Sequence, residues 1–166
     1  KGVPSGGFDL EHLKAIHRHL FQDVYEWAGE VRTVEIGKGG HQFQFARFIA
    51  TGMADIHRRI VAARYFEGLT PDGFAKEAGR IIGDVNYVHP FREGNGRTQL
   101  QYLRQLADRA GHSIDLRKLD RERWHEASRM AHEASYGPMT ECIAEALAER
   151  QRIRTGGKRK GQKRER

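Results

Sequence analysis

Cysteine is nearly absent from this chain of 166 residues, which holds only Cys142. A disulfide framework within the chain is thereby excluded, as is a zinc site built on several thiolates, and a reducing compartment is the natural setting. No apolar run is long enough to cross a membrane, and no segment has the basic start and apolar middle of a signal peptide. The chain starts at Lys1 rather than Met, as a piece of a longer protein would. Familiar catalytic patterns are missing too. His12, His17 and His19 share one helical stretch, but without HExxH spacing they read as surface or internally satisfied histidines. Gly37-Lys38-Gly39-Gly40 lacks the GxxxxGK[ST] spacing of a P-loop, there is no GxSxG, and Cys142 sits in an apolar helix without a paired base. Zinc-dependent and nucleophilic hydrolysis therefore have no support.

Acidic balance is also missing: the formal net charge is +7. That charge is local. Residues 150–166 (RQRIRTGGKRKGQKRER) hold nine Lys or Arg and one Glu, which leaves the first 149 residues at −1. A Gly, Lys and Arg run of this kind is expected to be a disordered tail or linker. Contact with nucleic acid or a membrane surface is confined to it.

What is present reads as helix. Asp9 is a plausible N-cap for a helix carrying Leu10, Leu13, Ile16, Leu20, Val24 and Trp27, stopped by Gly29. From Val31 to Phe45 apolar and polar residues alternate on either side of GKGG, predicting a hairpin with a glycine turn. Helical spacing resumes through Phe48, Ile49, Met53, Ile56 and Ile60 to near Gly68. Thr70-Pro71 starts another helix, carrying Phe74, Ala78, Ile81, Ile82 and Val85 and ending before His89. A helix after it, from about Asn95, carries Leu103, Leu106 and Ala110, with Gly111 as its stop. Two more are expected, from Asp120 through Ala131 and from Pro138 through Leu147. The fold class is all-α: a compact helical domain over residues 1–149 with one β-hairpin.

The segment His89 to Arg97, HPFREGNGR, joins two of these helices and carries more chemistry than a connector needs. Gly94 and Gly96 let backbone amides approach an anion closely. The helix that starts at about Asn95 turns its unsatisfied N–H groups and positive dipole end to the same spot. Arg97 in the first turn is locally unfavourable by a few tenths to about 1 kcal/mol, a cost that a bound polyphosphate reverses. Glu93 would repel phosphate directly but suits Mg²⁺, which bridges carboxylates and phosphates. His89 is the residue here able to act as a base near neutral pH. A base, a metal ligand, an amide nest and a phosphate-clamping Arg are the parts of phosphoryl or nucleotidyl transfer.

HPFREGNGR matches the motif H-[PX]-F-x-[DE]-G-N-G-R at every defined position, and on it the chain resembles the Fic family. The hairpin RTVEIGKGGHQF, Arg32 to Phe43, resembles that family's flap (about residues 31–45), and the helix order agrees, so the resemblance covers roughly residues 8–150. It implies protein AMPylation: the motif His takes the proton from a Ser, Thr or Tyr hydroxyl, which attacks the α-phosphorus of ATP and displaces pyrophosphate. By position His89 is the base, Glu93 the Mg²⁺ ligand, Gly94, Asn95 and Gly96 the anion hole, and Arg97 the clamp on the outer phosphates. Phe91 is a buried anchor. Lys38 and Gly39 of the flap approach nucleotide or target. The resemblance further implies a toxin or secreted effector working in its own cytoplasm, or delivered by a secretion system into another cell's. The partners it implies are a target protein held at the flap and, since [ST]-x-x-x-E-[GN] does not occur in this chain, a small antitoxin supplying an inhibitory Glu.

One position departs from the pattern. Many relatives carry G-N-G-R-x-x-R, and here the second Arg, a contact to the γ-phosphate, is Leu100. Losing a charged contact should cost about 1.5–3 kcal/mol, roughly one to two orders of magnitude in triphosphate binding. The alternatives are a weakened or uninhibited AMP transferase, another donor or transferred group, or a compensating reach by Arg104 one turn on. A non-catalytic module acting through the basic tail is the remaining class.

Overall fold

The computed structural model describes residues 2–158, with side-chain environments through Leu147. Its elements in chain order are α1 (Leu10–Phe21), β1 (Gly37–Lys38), β2 (His41–Gln42), α2 (Ile49–Ala62), α3 (Pro71–Val88), α4 (Asn95–Arg109), α5 (Arg121–His132) and α6 (Gly137–Lys158). The expected all-α domain with one small hairpin is what forms. Local chemistry starts the helices where the sequence suggested. Asp9 accepts from the His12 amide, Thr70 from the Gly73 amide with Pro71 in the first turn, and Asp120 from the Arg123 amide. Each such cap contributes about 1 kcal/mol.

The central helix is α3, whose Phe74, Ala75, Ala78, Ile82 and Val85 are fully buried against α2, α4, α5 and α6. Tyr102, Leu103 and Leu106 of α4 complete the core beside it. Burying large side chains such as these stabilises by about 1.5–3 kcal/mol each before conformational entropy is counted. The Tyr102 hydroxyl donates to the Phe8 carbonyl at 2.8 Å, so a polar group in the core is satisfied. The chain at the α3–α4 junction is thus fixed on both sides by packed helices.

Three expectations change. First, α1 ends at Phe21 and not at Gly29, and Val24, expected to face inward, is 66% exposed. Residues 22–30 are instead a chain of turns that carries Tyr25 and Gly29 back to the α3–α4 junction. Second, only residues 37–38 and 41–42 pair, across a turn with Gly39 and Gly40 at φ 57° and 80°. One further bond crosses the hairpin, from the Phe43 amide to the Ile36 carbonyl, while the amides of Arg32 and Gln44 leave it and donate to the carbonyls of Pro90 and Tyr87. The alternation also fails on the first stem, where Arg32 is buried and Val34 exposed. Third, α6 continues to Lys158, past the helix end expected near Leu147 and into the first part of the basic tail, while 159–166 of that tail lie outside the described residues. Among the described residues, no helix is long and apolar enough to cross a membrane.

Candidate active site

A cavity of about 920 Å³ opens at the α3–α4 junction. His89, Glu93, Gly94, Asn95, Gly96 and Arg97 line it from one side, and Lys38 and Gly39 from the tip of the flap. All eight site residues picked from the sequence therefore come together in one place.

His89 ends α3 in the left-handed conformation, φ 49°, with its amide still bonded to the Val85 carbonyl. Its Nδ1 lies 3.1 Å from the Asn86 carbonyl, which can only accept. That partner places the ring proton on Nδ1 and leaves Nε2 with a lone pair. The ring of Phe43 covers one face of the imidazole. Burial pushes the His89 pKa down to about 4; repulsion from Arg32, Lys38 and His132 adds to this, and the Asn86 carbonyl works the other way. The ring is accordingly neutral at pH 7.

The loop that follows is braced from within. Asn95 is buried, its Oδ1 accepting from the Phe91 amide at 3.0 Å and its Nδ2 donating to the Phe91 carbonyl at 2.8 Å. Its side chain thus closes the loop, and what it can offer an anion is its backbone amide. Phe91 is fully buried, as expected of an anchor, and stacks on His17 at 4.0 Å. His17 is the internally satisfied histidine anticipated: Nδ1 accepts from the Gly29 amide, so Nε2 donates to the Glu93 carbonyl. Burial lowers its pKa, consistent with a neutral ring in both bonds.

The two glycines do different work. Gly94 caps α4 at φ 80°, and a Cβ there would lie 2.4 Å from the Phe21 ring. A Cβ on Gly96 would meet nothing within 4 Å, because the space beside it is the cavity. The first-turn amides of α4 have no carbonyl partner within the helix and are available to an anion. Arg97 rests on the Phe21 ring at 5.2 Å, an exposed cation held at the rim. The Glu93 carboxylate accepts at Oε2 from the Tyr25 hydroxyl, 3.0 Å away, and this bond raises the Tyr25 pKa.

The far wall was missed in the sequence. Arg121, His125, Ser128, Arg129 and His132 of α5 line the cavity together with the edge of buried Trp124, while Ala127 and Ala131 face the core. The signal was present as a polar helical stripe, but such a stripe ordinarily marks a solvent face. Leu100 also lines the cavity while packing partly against the core. Arg104 is exposed and lines no part of it, so the compensating reach offered for it is not made. A second missed residue is Arg32, whose place beside His89 no spacing rule foretells.

The Fic/DOC family pattern matches residues 7–107. The chain belongs to the Fic/DOC family. It is 41% identical over 133 residues to the protein adenylyltransferase VbhT of Bartonella schoenbuchensis, an alignment covering 80% of this chain and 27% of that protein. It is 36% identical over 140 residues to the probable protein adenylyltransferase y4lH of Sinorhizobium fredii, covering 84% and 73%. The chain thus spans about a quarter of the first relative's length. Among solved structures it resembles the N-terminal Fic domain of a putative cell filamentation protein, a VirB-translocated Bep effector from Bartonella quintana with bound ADP. There the TM-score is 0.78 and the identity 27%, over 87% of this chain and 75% of that one. The family match over residues 7–107 spans α1, the hairpin and the α3–α4 junction.

Proposed function

We propose that this Fic chain is a protein adenylyltransferase, moving AMP from ATP to a Ser, Thr or Tyr hydroxyl of another protein. The observation that carries the reading is the pairing, in one cavity, of an unprotonated His89 Nε2 with the amide-rich start of α4. Relatives named as adenylyltransferases and a similar Fic domain solved with ADP support it.

The steps follow from the residues. The triphosphate lies on the amides of Gly94, Asn95 and Gly96, with Arg97 on its outer phosphates. His89 Nε2 takes the proton of the target hydroxyl as that oxygen attacks the α-phosphorus. The bond between the α-phosphorus and the bridging oxygen breaks, and pyrophosphate leaves. Bound phosphates would raise the affinity of His89 for a proton, because anions favour the charged imidazolium. The base therefore strengthens as the site fills.

Glu93 fits a single Mg²⁺ ligand: its Oε1 makes no hydrogen bond among the described residues, and it sits on the cavity wall. Among those residues, no three His, Cys, Asp or Glu side chains gather as a protein-built metal cage. That suits Mg²⁺, which is commonly held by one or two carboxylates, phosphates and waters. When bound it supplies charge neutralisation to the triphosphate. Lys38 and Gly39 at the flap tip would meet the target segment. In this reading the domain is residues 1–149, and the protein acts in the cytoplasm of its own cell or of one it is delivered into. A separate small protein supplying a glutamate is a fitting inhibitor.

A second reading, a donor other than ATP or a different transferred group, is favoured by one observation. Leu100 gives the cavity an apolar wall where a cation would read a γ-phosphate. The experiment separates the two: a lysate is incubated with the protein and ATP labelled on the α- or the γ-phosphate. Transfer of the α label alone supports AMPylation. Transfer of the γ label alone rejects it, and transfer only from another nucleotide supports the changed donor.

A further inference from the structure

Arg32 lies at the stem of the flap, is 2% exposed, and among the described residues forms no ion pair with a carboxylate. Its guanidinium is spent on carbonyls alone. Nε donates to the His89 carbonyl at 2.7 Å and Nη1 to the Val34 carbonyl at 2.7 Å. Nη2 donates to the Gln44 carbonyl at 2.5 Å and the Val88 carbonyl at 3.2 Å. The Arg32 amide adds a bond to the Pro90 carbonyl at 2.9 Å.

Two of those acceptors, Val88 and His89, are the last carbonyls of α3, which have no partner within the helix. The other two, Val34 and Gln44, lie on opposite stems of the flap. One side chain thus joins both flap stems to the residue that carries the free imidazole nitrogen. Burying an unpaired cation is costly, and burial lowers the Arg32 pKa. An apolar side chain would anchor a hairpin without that cost. A planar fork is what meets four carbonyls spread around it, and a lysine ammonium cannot reproduce the fan.

We infer that Arg32 is a positioning residue: it holds the His89 backbone in its left-handed conformation, which sets the ring on Asn86 and Phe43, and it couples the seating of the flap to that alignment. The inference deepens the transferase reading and rests on it for its kinetic arm. Because non-glycine residues adopt φ near 50° only with support, removing the clamp should free His89 first. The loop beyond is held separately, by the Phe91–Asn95 brace and by His17, so nucleotide binding should survive.

The test uses the full chain with Arg32→Gln and Arg32→Lys, each compared with wild type in thermal unfolding, ATP affinity, turnover and the titration of His89 followed by imidazole NMR. His89 is faced by Arg32 and Lys38 from the flap and by His132 from α5, so the titration reads the clamp against a known background. Both variants are expected to lose turnover by about 30-fold or more while ATP affinity changes by about threefold or less. In Arg32→Gln the His89 titration should also move up toward the ordinary histidine range. Full turnover per folded molecule in Arg32→Lys overturns the inference, as does a loss confined to ATP affinity. If Arg32→Gln does not fold, the Lys variant decides. If wild type transfers nothing, the transferase reading fails, while an unchanged His89 titration in folded Arg32→Gln still overturns the clamp.

Discussion

The ring of Phe43 lies flat on the imidazole of His89, with centroids 3.8 Å apart and planes 6° from parallel. One residue belongs to the flap and the other to the end of α3, so the packed flap is part of what desolvates the ring. Phe43 is also edge-on to His132 of α5 at 5.4 Å. The flap is therefore bridged to the far wall of the cavity through the same side chain.

The first consequence concerns pH. His89 has its pKa pushed to about 4 against an ordinary 6.5, chiefly by burial. The native state then binds fewer protons at this site than the unfolded chain, so its contribution to stability is complete above the ordinary value. That contribution declines as pH falls from 6.5 to about 4. Replacing His89 by Gln should flatten the acid side of the stability–pH curve in that window, measured by denaturant unfolding. An unchanged acid limb would contradict the assigned burial of the ring.

Phe43→Ala should raise the His89 pKa, because burial, the largest cause of its depression, is reduced on the face that Phe43 covers. The transfer rate should fall about tenfold, with its acid limb moved to higher pH, while the overall fold persists. A rate profile over pH checks this. An acid limb that stays put would mean that Phe43 serves only to pack the flap.

Gly94 and Gly96 should separate stability from binding. Gly94→Ala combines a positive φ with a Cβ in the Phe21 ring, and a loss of about 2–4 kcal/mol is expected in unfolding. Gly96→Ala meets open space, so the melting temperature should hold or rise slightly, while ATP affinity falls about tenfold or more. Calorimetry on both variants with and without ATP distinguishes them. Equal destabilisation by both would show that the space beside Gly96 is not the ligand's.

Leu100→Arg should place a cation on the cavity wall that reads the outer phosphate. Triphosphate affinity should then rise about 10-fold or more with little change for the monophosphate. Titration calorimetry with ATP and AMP decides. Equal gains for both nucleotides would place the new cation away from the third phosphate.

Much of this was legible in the chain itself, and the reasons differ by residue. Helix starts were visible because Asp9, Thr70-Pro71 and Asp120 act locally, through a cap and the next few amides. The loop was visible because its chemistry is contiguous: His89, Glu93, Gly94 and Arg97 lie within nine residues. The end of α1 was not, since Val24 and Trp27 keep the helical period while a bond from Tyr25 to Glu93 of the loop and one from Gly29 back to His17 of α1 hold the segment in turns. Arg32 was hidden for a similar reason. A charge within an alternating strand pattern reads as solvent-facing, and the carbonyls that draw it inside include those of Val88 and His89, more than fifty residues away. The α5 wall had a visible stripe whose partner, the cavity, exists only after folding.

The central claim is that His89 activates a hydroxyl that accepts AMP. The most direct measurement is mass spectrometry of proteins modified in a lysate by the wild-type chain and by His89→Ala, with ATP supplied. The account predicts an adenosine monophosphate adduct on a Ser, Thr or Tyr side chain with wild type, and its loss with His89→Ala although ATP still binds. A bare phosphate adduct, or an adenylyl adduct formed equally well without His89, would contradict it.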